Sequence, residues 1–306
     1  MDYLLLVIGF VLLIKGADMF VDGSSALARL LKIPSVIIGL TIVAMGTSAP
    51  EAAVSITAGM AGNNAIAISN VLGSNVFNSL VVVGTCGAMA AFKTSKDILK
   101  RDLPVNIVIS VLLVVLIMDG LLSRGDGLLL LAGMVIFIAS MIRAAMKERT
   151  ADEEESEKMS PMKCLIFIII GIAAIIAGGQ LVVNSASNIA LALGLSQTFV
   201  GLTIVAIGTS LPELVTSIVA TRKGESGLAL GNAVGSNIFN ILFILGASSA
   251  IHPIAVEAVS IIDALILVGI ALMIYIFAKT KEEVSRPEGF VMVAAYIAYT
   301  AYLLMR

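Results

Sequence analysis

Long runs of apolar residues without a single charge restrict most strongly what this chain can fold into. Residues 103–118 and 164–177 contain no charged side chain. About 20 such residues span a bilayer as a helix, whereas a membrane barrel shows short segments of alternating hydrophobicity. Of the 306 residues 13% are charged, against about 25% in soluble domains. The sequence therefore predicts an all-α integral membrane protein embedded in the lipid bilayer.

Hydrophobic segments between charged or turn-rich breaks predict ten transmembrane helices. They lie near residues 3–27, 35–60, 65–91, 103–120, 127–146, 163–191, 198–221, 227–250, 258–278 and 288–305. The first segment is preceded by no basic residue, so we expect a retained helix and not a cleaved signal peptide.

The distribution of Lys and Arg predicts the orientation of these helices. Of the 19 basic residues, 16 lie in alternate connections, two lie in the other connections or at the end of the chain, and Lys15 lies within the first helix. Cytoplasmic loops carry the excess of basic residues. Both termini are therefore predicted to face the extracellular or periplasmic side of a cell membrane.

A charged segment divides the chain at its midpoint. Residues 147–162 contain the run Asp152, Glu153, Glu154 and Glu155. We predict that this segment is a cytoplasmic acidic linker between an N-terminal five-helix repeat, residues 1–146, and a C-terminal five-helix repeat, residues 163–306. A calcium-sensing role for the acidic run is the alternative to a solvated linker.

The two halves share a sequence repeat. Residues 39–84 match residues 201–246 at a constant offset of 162, with 24 identities in 46 positions and no gap. Five helices per half would make the second repeat enter the membrane from the opposite side, so the repeats are predicted to be inverted. In transporters of this kind the substrate site lies near the midplane, where the repeats meet. The alternative is a duplication kept for packing symmetry alone.

Each copy of the repeat carries one glutamate, Glu51 or Glu213, in the motif Gly-Thr-Ser-x-Pro-Glu. Helical positions i, i+3, i+4 and i+7 share a face, so each carboxylate has two hydroxyls on its own face. The residues on these faces are Ala44, Thr47, Ser48 and Glu51, and Ala206, Thr209, Ser210 and Glu213. Pro50 and Pro212 lack a backbone donor, which predicts a kink and free carbonyl oxygens beside each glutamate.

The helices that follow add more oxygen atoms. Ser74 and Asn78 are spaced i and i+4 and share a face, as do Ser236 and Asn240. An all-oxygen set without His or Cys suits a hard cation such as Ca²⁺, which takes about 6 to 8 oxygen ligands. For each Ser, Thr and Asn side chain, helix packing is the alternative role.

Charge narrows the choice of ion. A carboxylate at the bilayer centre costs about 2.5 kcal/mol or more, and two facing carboxylates repel each other. The four predicted helices that carry the repeat contain no Lys or Arg to neutralise them. A divalent cation, several monovalent cations or protons must do so, and their competition for the same carboxylates would couple their movements.

Two further carboxylates lie in the first helix. Asp18 and Asp22 could line an ion path, or they could pair with Lys15 near the membrane edge. The second copy has Gln180 and Asn184 at the corresponding positions, so the acidity is not duplicated. We therefore favour the pairing with Lys15.

With these motifs the chain resembles the calcium/cation antiporter superfamily. Paired repeats of that family read Gly-Thr-Ser-x-Pro-Glu, then Gly-Asn, then Gly-Ser-Asn. The corresponding residues here are Ser69-Asn70 and Gly73-Ser74-Asn75 in the first copy, and Gly231-Asn232 and Gly235-Ser236-Asn237 in the second. The resemblance implies Na⁺/Ca²⁺ exchange by alternating access, with both ions bound as substrates and no cofactor.

The resemblance also implies a set of ligands. Ca²⁺ would bind Glu51, Glu213, Thr47 and Thr209, and Na⁺ would also use Ser48, Ser210, Ser74, Ser236 and the backbone carbonyls of Ala44 and Ala206. Some family members have an aspartate at the position of Asn240. Because Asn78 and Asn240 are neutral amides, the resemblance implies the potassium-independent type. Proton-coupled members usually read Gly-Asn-x-x-Glu, which disfavours H⁺ coupling.

Other functions remain as alternatives. A Ca²⁺/H⁺ or other cation antiporter would use the same carboxylates, and a cation channel would use them as a selectivity ring. The sequence has no His-Glu-x-x-His motif and no nucleophile elbow, so we predict no enzyme and no catalytic residue. No nucleic acid or protein partner is implied, and we expect a monomer.

Overall fold

The computed structural model describes residues 1–94, 97–147, 159–194, 206–280 and 282–305. Most of the predicted acidic linker lies outside these residues, as does the start of the second repeat at residues 201–205. The side chain of Ala206 also lies outside the described part, although its backbone begins a helix.

The described part of the first half is mainly helical and includes two short strands. Its elements are α1 (Asp2–Leu31), α2 (Ser35–Ile38), π1 (Gly39–Val43), α3 (Ala44–Thr47), α4 (Ala49–Met60), α5 (Asn64–Phe77), π2 (Asn78–Val82), α6 (Val83–Met89), β1 (Phe92–Lys93), π3 (Ile98–Asp102), α7 (Leu103–Ile117), β2 (Leu121–Leu122) and α8 (Arg124–Lys147).

The second half repeats much of this order. Its described elements are α9 (Pro161–Ala192), α10 (Ala206–Thr209), α11 (Leu211–Arg222), α12 (Ser226–Phe239), π4 (Asn240–Leu245), α13 (Gly246–Ile251), β3 (Ile254–Ala255), α14 (Ala258–Thr280), β4 (Glu283–Val284) and α15 (Arg286–Met305). The prediction of an all-α protein is confirmed.

Among the described residues, six helical segments are long and apolar enough to cross a membrane, and a bent pair raises this number to seven. The segments are Asp2–Leu31, Ile66–Met89, Arg124–Lys147, Pro161–Ala192, Ser226–Ile251 and Ala258–Thr280. The chain is therefore a multi-pass membrane protein. Ten spans remain a prediction, because several of the other predicted helices are short or broken.

The predicted kink beside each glutamate is a complete break of the helix. In the first copy α3 ends at Thr47, and Ser48 leaves the helical region with φ −81° and ψ 9°. The flanking segments Ser35–Thr47 and Ala49–Met60 are bent by 52°. In the second copy Ser210 has φ −91° and ψ 5° and precedes α11. Each proline thus lies in the first turn of a new helix, where its missing donor has no cost.

The last helix of each half begins with the same cap. The backbone amide and the hydroxyl of Ser123 donate to Asp126 over 2.9 Å and 2.6 Å. The same two groups of Ser285 donate to Glu288 over 2.7 Å and 2.6 Å. These pairs differ by 162 positions and follow the capping-box pattern. The offset of the sequence repeat therefore extends beyond residues 39–84.

Two small antiparallel pairings connect the halves. Phe92 pairs with Val284, and Leu122 pairs with Ile254. Adding 162 to Phe92 gives Ile254, and subtracting 162 from Val284 gives Leu122, so each pairing is the image of the other. Such reciprocal contacts are those of a two-fold relation between two copies.

The described residues form two compact units, and each unit contains segments of both sequence halves. Unit 1 comprises Met1–Pro50 and Met141–Asn232, and unit 2 comprises Glu51–Ser140 and Ala233–Arg306. The predicted repeats, residues 1–146 and 163–306, are defined by sequence similarity and not by contacts, and this division stays a prediction.

Glycines hold the two long helices of unit 1 together. Gly9, Gly16 and Gly23 of α1 recur every seven residues, as do Gly171 and Gly178 of α9. A Cβ atom at Gly171 would lie 2.7 Å from the backbone nitrogen of Phe20, and a Cβ atom at Gly178 would lie 2.7 Å from that of Leu13. Membrane helices without a hydrophobic driving force associate through such close backbone packing.

Candidate functional site: buried carboxylates with hydroxyl and amide partners

The carboxylate of Glu213 lies in the interior of unit 1. Its residue is fully buried in the first turn of α11. The hydroxyl of Ser48, at the helix break, donates to Glu213 Oε1 over 2.8 Å. A hydroxyl that donates to a carboxylate keeps its own lone pairs available to a cation. Ser48 belongs to the first copy of the motif and Glu213 to the second, whereas helical spacing had placed each glutamate with the hydroxyls of its own copy.

An asparagine joins the helices around Glu213. Asn232 donates through Nδ2 to the backbone oxygen of Glu213 over 3.3 Å and to Ser217 Oγ over 2.9 Å. Its Oδ1 accepts from Thr47 Oγ1 over 2.9 Å. The Thr47 hydroxyl also lies 3.1 Å from the backbone oxygen of Val43, so its single hydrogen has more than one acceptor. Asn232 thus fixes the threonine and the glutamate backbone in one arrangement.

The asparagine and serine contacts of Glu213 recur around Glu51 within unit 2, whereas the serine at Oε1 is a different one. Asn70 donates through Nδ2 to the backbone oxygen of Glu51 over 3.4 Å and to Ser55 Oγ over 2.8 Å. Ser74 Oγ lies 3.5 Å from Glu51 Oε1, and Glu51 is fully buried. Asn70 and Ser55 are the counterparts of Asn232 and Ser217 at the 162-residue offset. The repeat is therefore a repeat of local geometry as well as of sequence.

Two hydrogen-bonded pairs, Ser55 with Asn70 and Ser217 with Asn232, were not predicted as site residues from the sequence. Ser55 and Ser217 are identical between the copies and lie four residues after the glutamates, so they share the face of the carboxylate. The identical serine four residues after each glutamate is the sequence feature from which these residues could have been predicted. Their hydroxyls accept from an amide and thus support the glutamate helices without contacting the carboxylates in the described structure.

Most of the other predicted ligands are buried in the described structure, and Thr209 is half-buried. Ala44 begins α3 and Ser210 lies at the second helix break. Both are fully buried, as are Ser236, Asn78 and Asn240. Thr209 ends α10, and Ala206 begins it. Two of the π segments begin at Asn78 and Asn240, and π segments in α-helices are often found at functional sites. These π segments could not be predicted from the sequence, because their apolar pattern resembles that of an α-helix.

The helices that carry the asparagines are the most enclosed of the six membrane-crossing segments. In the most apolar 18-residue stretch of each segment, 72% of the residues are buried in Ile66–Met89 and 94% in Ser226–Ile251, against 33% in Asp2–Leu31. Their polar side chains are therefore kept away from lipid. The described residues contain no cluster of three or more His, Cys, Asp or Glu side chains. The local chemistry is that of carboxylates with neutral oxygen groups, which suits hard cations better than transition metals.

Asp18 and Asp22 form ion pairs, but mainly with a residue other than the predicted one. Lys223, at the end of α11, lies 2.7 Å from Asp22 Oδ1 and 3.4 Å from Asp18 Oδ1. The predicted partner Lys15 lies 3.9 Å from Asp18 Oδ2. Lys15 is thus a partner of Asp18, as predicted, but the shorter pairs connect α1 with α11.

Replacing Lys223 with Ala should leave the stability of the protein almost unchanged. The side chains of Lys223 and Asp22 are 30% and 47% exposed, and ion pairs at such positions contribute about 0 to 1 kcal/mol. Thermal unfolding in detergent would measure the change, with Lys15→Ala as the control. A much larger loss would show that this cluster is a structural requirement of unit 1.

Comparison with known proteins places this geometry in context. The family model described as "Sodium/calcium exchanger protein" matches residues 1–143 and 163–305. The CaxA protein of Alkalimonas amylolytica is 39% identical over 308 residues, which cover 97% of this chain and 96% of CaxA. The sodium/calcium exchanger MaX1 of Methanosarcina acetivorans is 33% identical over 343 residues, 99% of this chain and 98% of MaX1.

Solved structures of a sodium-calcium exchanger, NCX_Mj, have the same fold. In one of them, from material soaked with Na⁺ and Ca²⁺, the TM-score is 0.87 at 32% identity, with 98% of this chain and 97% of that chain covered. Another, soaked with Na⁺ and no Ca²⁺, has a TM-score of 0.87 at 33% identity, with 98% of each chain covered. The likeness extends over both halves of the chain.

Proposed function

The chain belongs to the sodium/calcium exchanger family of membrane transporters, and from this premise we propose that it exchanges Ca²⁺ for Na⁺ by alternating access. The observation that carries the proposal is the pair of buried glutamates at equivalent positions of the repeat. Each has a serine hydroxyl at Oε1 and an asparagine at its backbone oxygen. The family consists of transporters, in agreement with the prediction that the chain is not an enzyme.

The charge of the glutamates supports a cation as substrate. A fully buried carboxylate is unfavourable unless a counter-charge or hydrogen bonds compensate it. The helices α4, α5 and α12 contain no Lys or Arg, and in α11 Arg222 is the last residue, nine positions after Glu213. The bound ion is therefore the proposed counter-charge, which makes the ion and the carboxylate interdependent.

The proposed ligands are those that the resemblance to the calcium/cation antiporters implies, together with Asn78 and Asn240. Ca²⁺ would bind the carboxylates of Glu51 and Glu213 and the hydroxyls of Thr47 and Thr209. Na⁺ would use the same carboxylates with neutral oxygens, because a monovalent ion needs less negative charge. These oxygens belong to Ser48, Ser74, Ser210, Ser236, Asn78 and Asn240 and to the backbone carbonyls of Ala44 and Ala206.

The proposed coupling ion is Na⁺. Two relatives, MaX1 and NCX_Mj, are named as sodium/calcium exchangers, and the neutral amides of Asn78 and Asn240 add no titratable group. Because these two side chains are uncharged, they also support an exchanger of the potassium-independent type. Ca²⁺/H⁺ antiport is the alternative, and we further propose a monomer with both termini outside the cytoplasm.

Calcium uptake into proteoliposomes tests exchange against a channel. The purified protein should accumulate ⁴⁵Ca²⁺ when Na⁺ is concentrated inside, because outward Na⁺ movement drives Ca²⁺ inward. With equal Na⁺ on both sides, accumulation should stop. A channel would pass Ca²⁺ down its own gradient regardless of Na⁺, and uptake of that kind would refute the proposal.

A further inference from the structure

The orientation of one buried amide in unit 2 is determined by a chain of hydrogen bonds. Asn75 donates through Nδ2 to the backbone oxygen of Asn237 over 3.1 Å. A backbone carbonyl accepts and never donates, so it identifies the NH₂ end of Asn75. The opposite end, Asn75 Oδ1, accepts from Asn240 Nδ2 over 2.9 Å. The NH₂ end of Asn240 is therefore identified as well.

This arrangement leaves the carbonyl end of Asn240 for another partner. Asn240 is fully buried, and among the described residues its Oδ1 has no hydrogen-bond partner. A buried acceptor without a partner is unfavourable, whereas a carbonyl oxygen is a good ligand for a hard cation. An amide turned the other way would present two N–H groups to the cation and repel it.

We infer that Asn75 is a positioning residue that presents the carbonyl oxygen of Asn240 to the transported cation. The inference rests on the proposed function, since it makes Asn240 a neutral ligand of the same ion. Asn75 itself acts through Asn240 and is not a ligand.

The first copy of the repeat lacks this restraint. Neither amide atom of Asn78, the counterpart of Asn240, has a partner among the described residues, and the same holds for Asn237 Oδ1. Asn237 instead donates through Nδ2 to Ser79 Oγ over 2.8 Å. Its counterpart Asn75 has no such acceptor, because position 241 is Ile. The first copy has Ser79 where the second has Ile241, and this difference explains why the amide of Asn240 is hydrogen-bonded by Asn75 while that of Asn78 has no equivalent bond to Asn237 in the described part of the chain.

A double-mutant cycle on Asn75 and Asn240 tests the inference. Asn75→Ala should raise the apparent dissociation constant for Na⁺ or Ca²⁺ by roughly 2- to 10-fold, the range for loss of one hydrogen bond. Asn240→Ala should weaken binding at least as much. In the double variant, loss of Asn75 should add nothing further, because its effect passes through Asn240. Binding is measured as the shift of thermal unfolding with NaCl or CaCl₂ in detergent, and the maximal exchange rate is measured separately.

Ser79→Ala is the matched control. It removes a buried hydrogen bond of the same network but leaves the bond between Asn75 and Asn240, so cation affinity should stay near the wild-type value even if stability falls. Additive effects of Asn75→Ala and Asn240→Ala would overturn the inference, as would a wild-type protein that no cation stabilises. Cation binding with the expected non-additivity but without Na⁺-driven uptake would support the inference and refute the exchanger proposal.

Discussion

Replacing Glu213 with Gln should abolish Na⁺-dependent Ca²⁺ uptake while the protein still folds and inserts into the membrane. The amide has the same shape and can still accept from Ser48, which lies 2.8 Å from Oε1 in the wild type. It lacks the charge that a divalent cation needs in an enclosed site. Uptake of ⁴⁵Ca²⁺ into proteoliposomes should fall to the level of empty vesicles. The same result is expected for Glu51→Gln.

The control for this prediction is Glu225→Gln. Glu225 pairs with Arg29 over 3.1 Å, and the side chain of Arg29 is 58% exposed and that of Glu225 24%. Glu225 has no proposed role in ion binding. Its loss should leave uptake close to the wild-type rate. Near-normal exchange in Glu213→Gln or Glu51→Gln would remove that glutamate from the proposed ligands.

Replacing Gly171 with Val should prevent the normal packing of α1 against α9. A Cβ atom at this position would lie 2.7 Å from Phe20 N and 2.9 Å from Gly16 O, and backbone atoms cannot move aside as side chains do. Overpacking of a core costs about 1 to 3 kcal/mol, and separating two backbones should exceed this range. We expect little monodisperse protein in size-exclusion chromatography and a lower temperature of unfolding for any that remains.

Gly269→Val provides the comparison, because a Cβ atom at Gly269 of α14 would meet nothing within 4 Å. The same change of residue should be tolerated at that position. If Gly171→Val were as stable as Gly269→Val, the close contact between α1 and α9 would not determine the stability of unit 1.

Local features of the site could be predicted from the sequence, because they depend on spacing along one helix. Pro50 and Pro212 predicted the breaks, and the breaks lie at Ser48 and Ser210. The face that Thr47 and Ser48 were predicted to share with Glu51 assumed one continuous helix, and the break at Ser48 places Glu51 on a separate helix. The break is complete, and not a simple kink, because each proline begins a new helix.

Contacts between helices that are distant in the sequence could not be predicted in this way. The ion pair of Lys223 with Asp22 joins residues 201 positions apart, and helical periodicity contains no information about such partners. The hydrogen bonds of Asn75 with Asn237 and Asn240 could not be predicted for the same reason, because they also join residues far apart in the sequence. The π segments at Asn78 and Asn240 were missed for a different reason, since hydrophobic periodicity does not separate i+4 from i+5 hydrogen bonding.

The hydropathy pattern overstated the regularity of the helices. The segment predicted as 103–120 is an α-helix over Leu103–Ile117 that follows the π segment Ile98–Asp102. The second predicted segment, 35–60, is divided by the break at Ser48. Average hydropathy reports that residues are apolar and does not report whether their backbone is one continuous helix.

The identity of the coupling ion tests the central proposal most directly. Current and ⁴⁵Ca²⁺ flux should be recorded together in proteoliposomes while gradients of Na⁺, H⁺ and K⁺ are imposed one at a time. We predict that an opposing Na⁺ gradient alone drives Ca²⁺ accumulation and that K⁺ changes nothing. Accumulation driven by a H⁺ gradient without Na⁺, or a requirement for K⁺, would contradict the proposal of a potassium-independent Na⁺/Ca²⁺ exchanger.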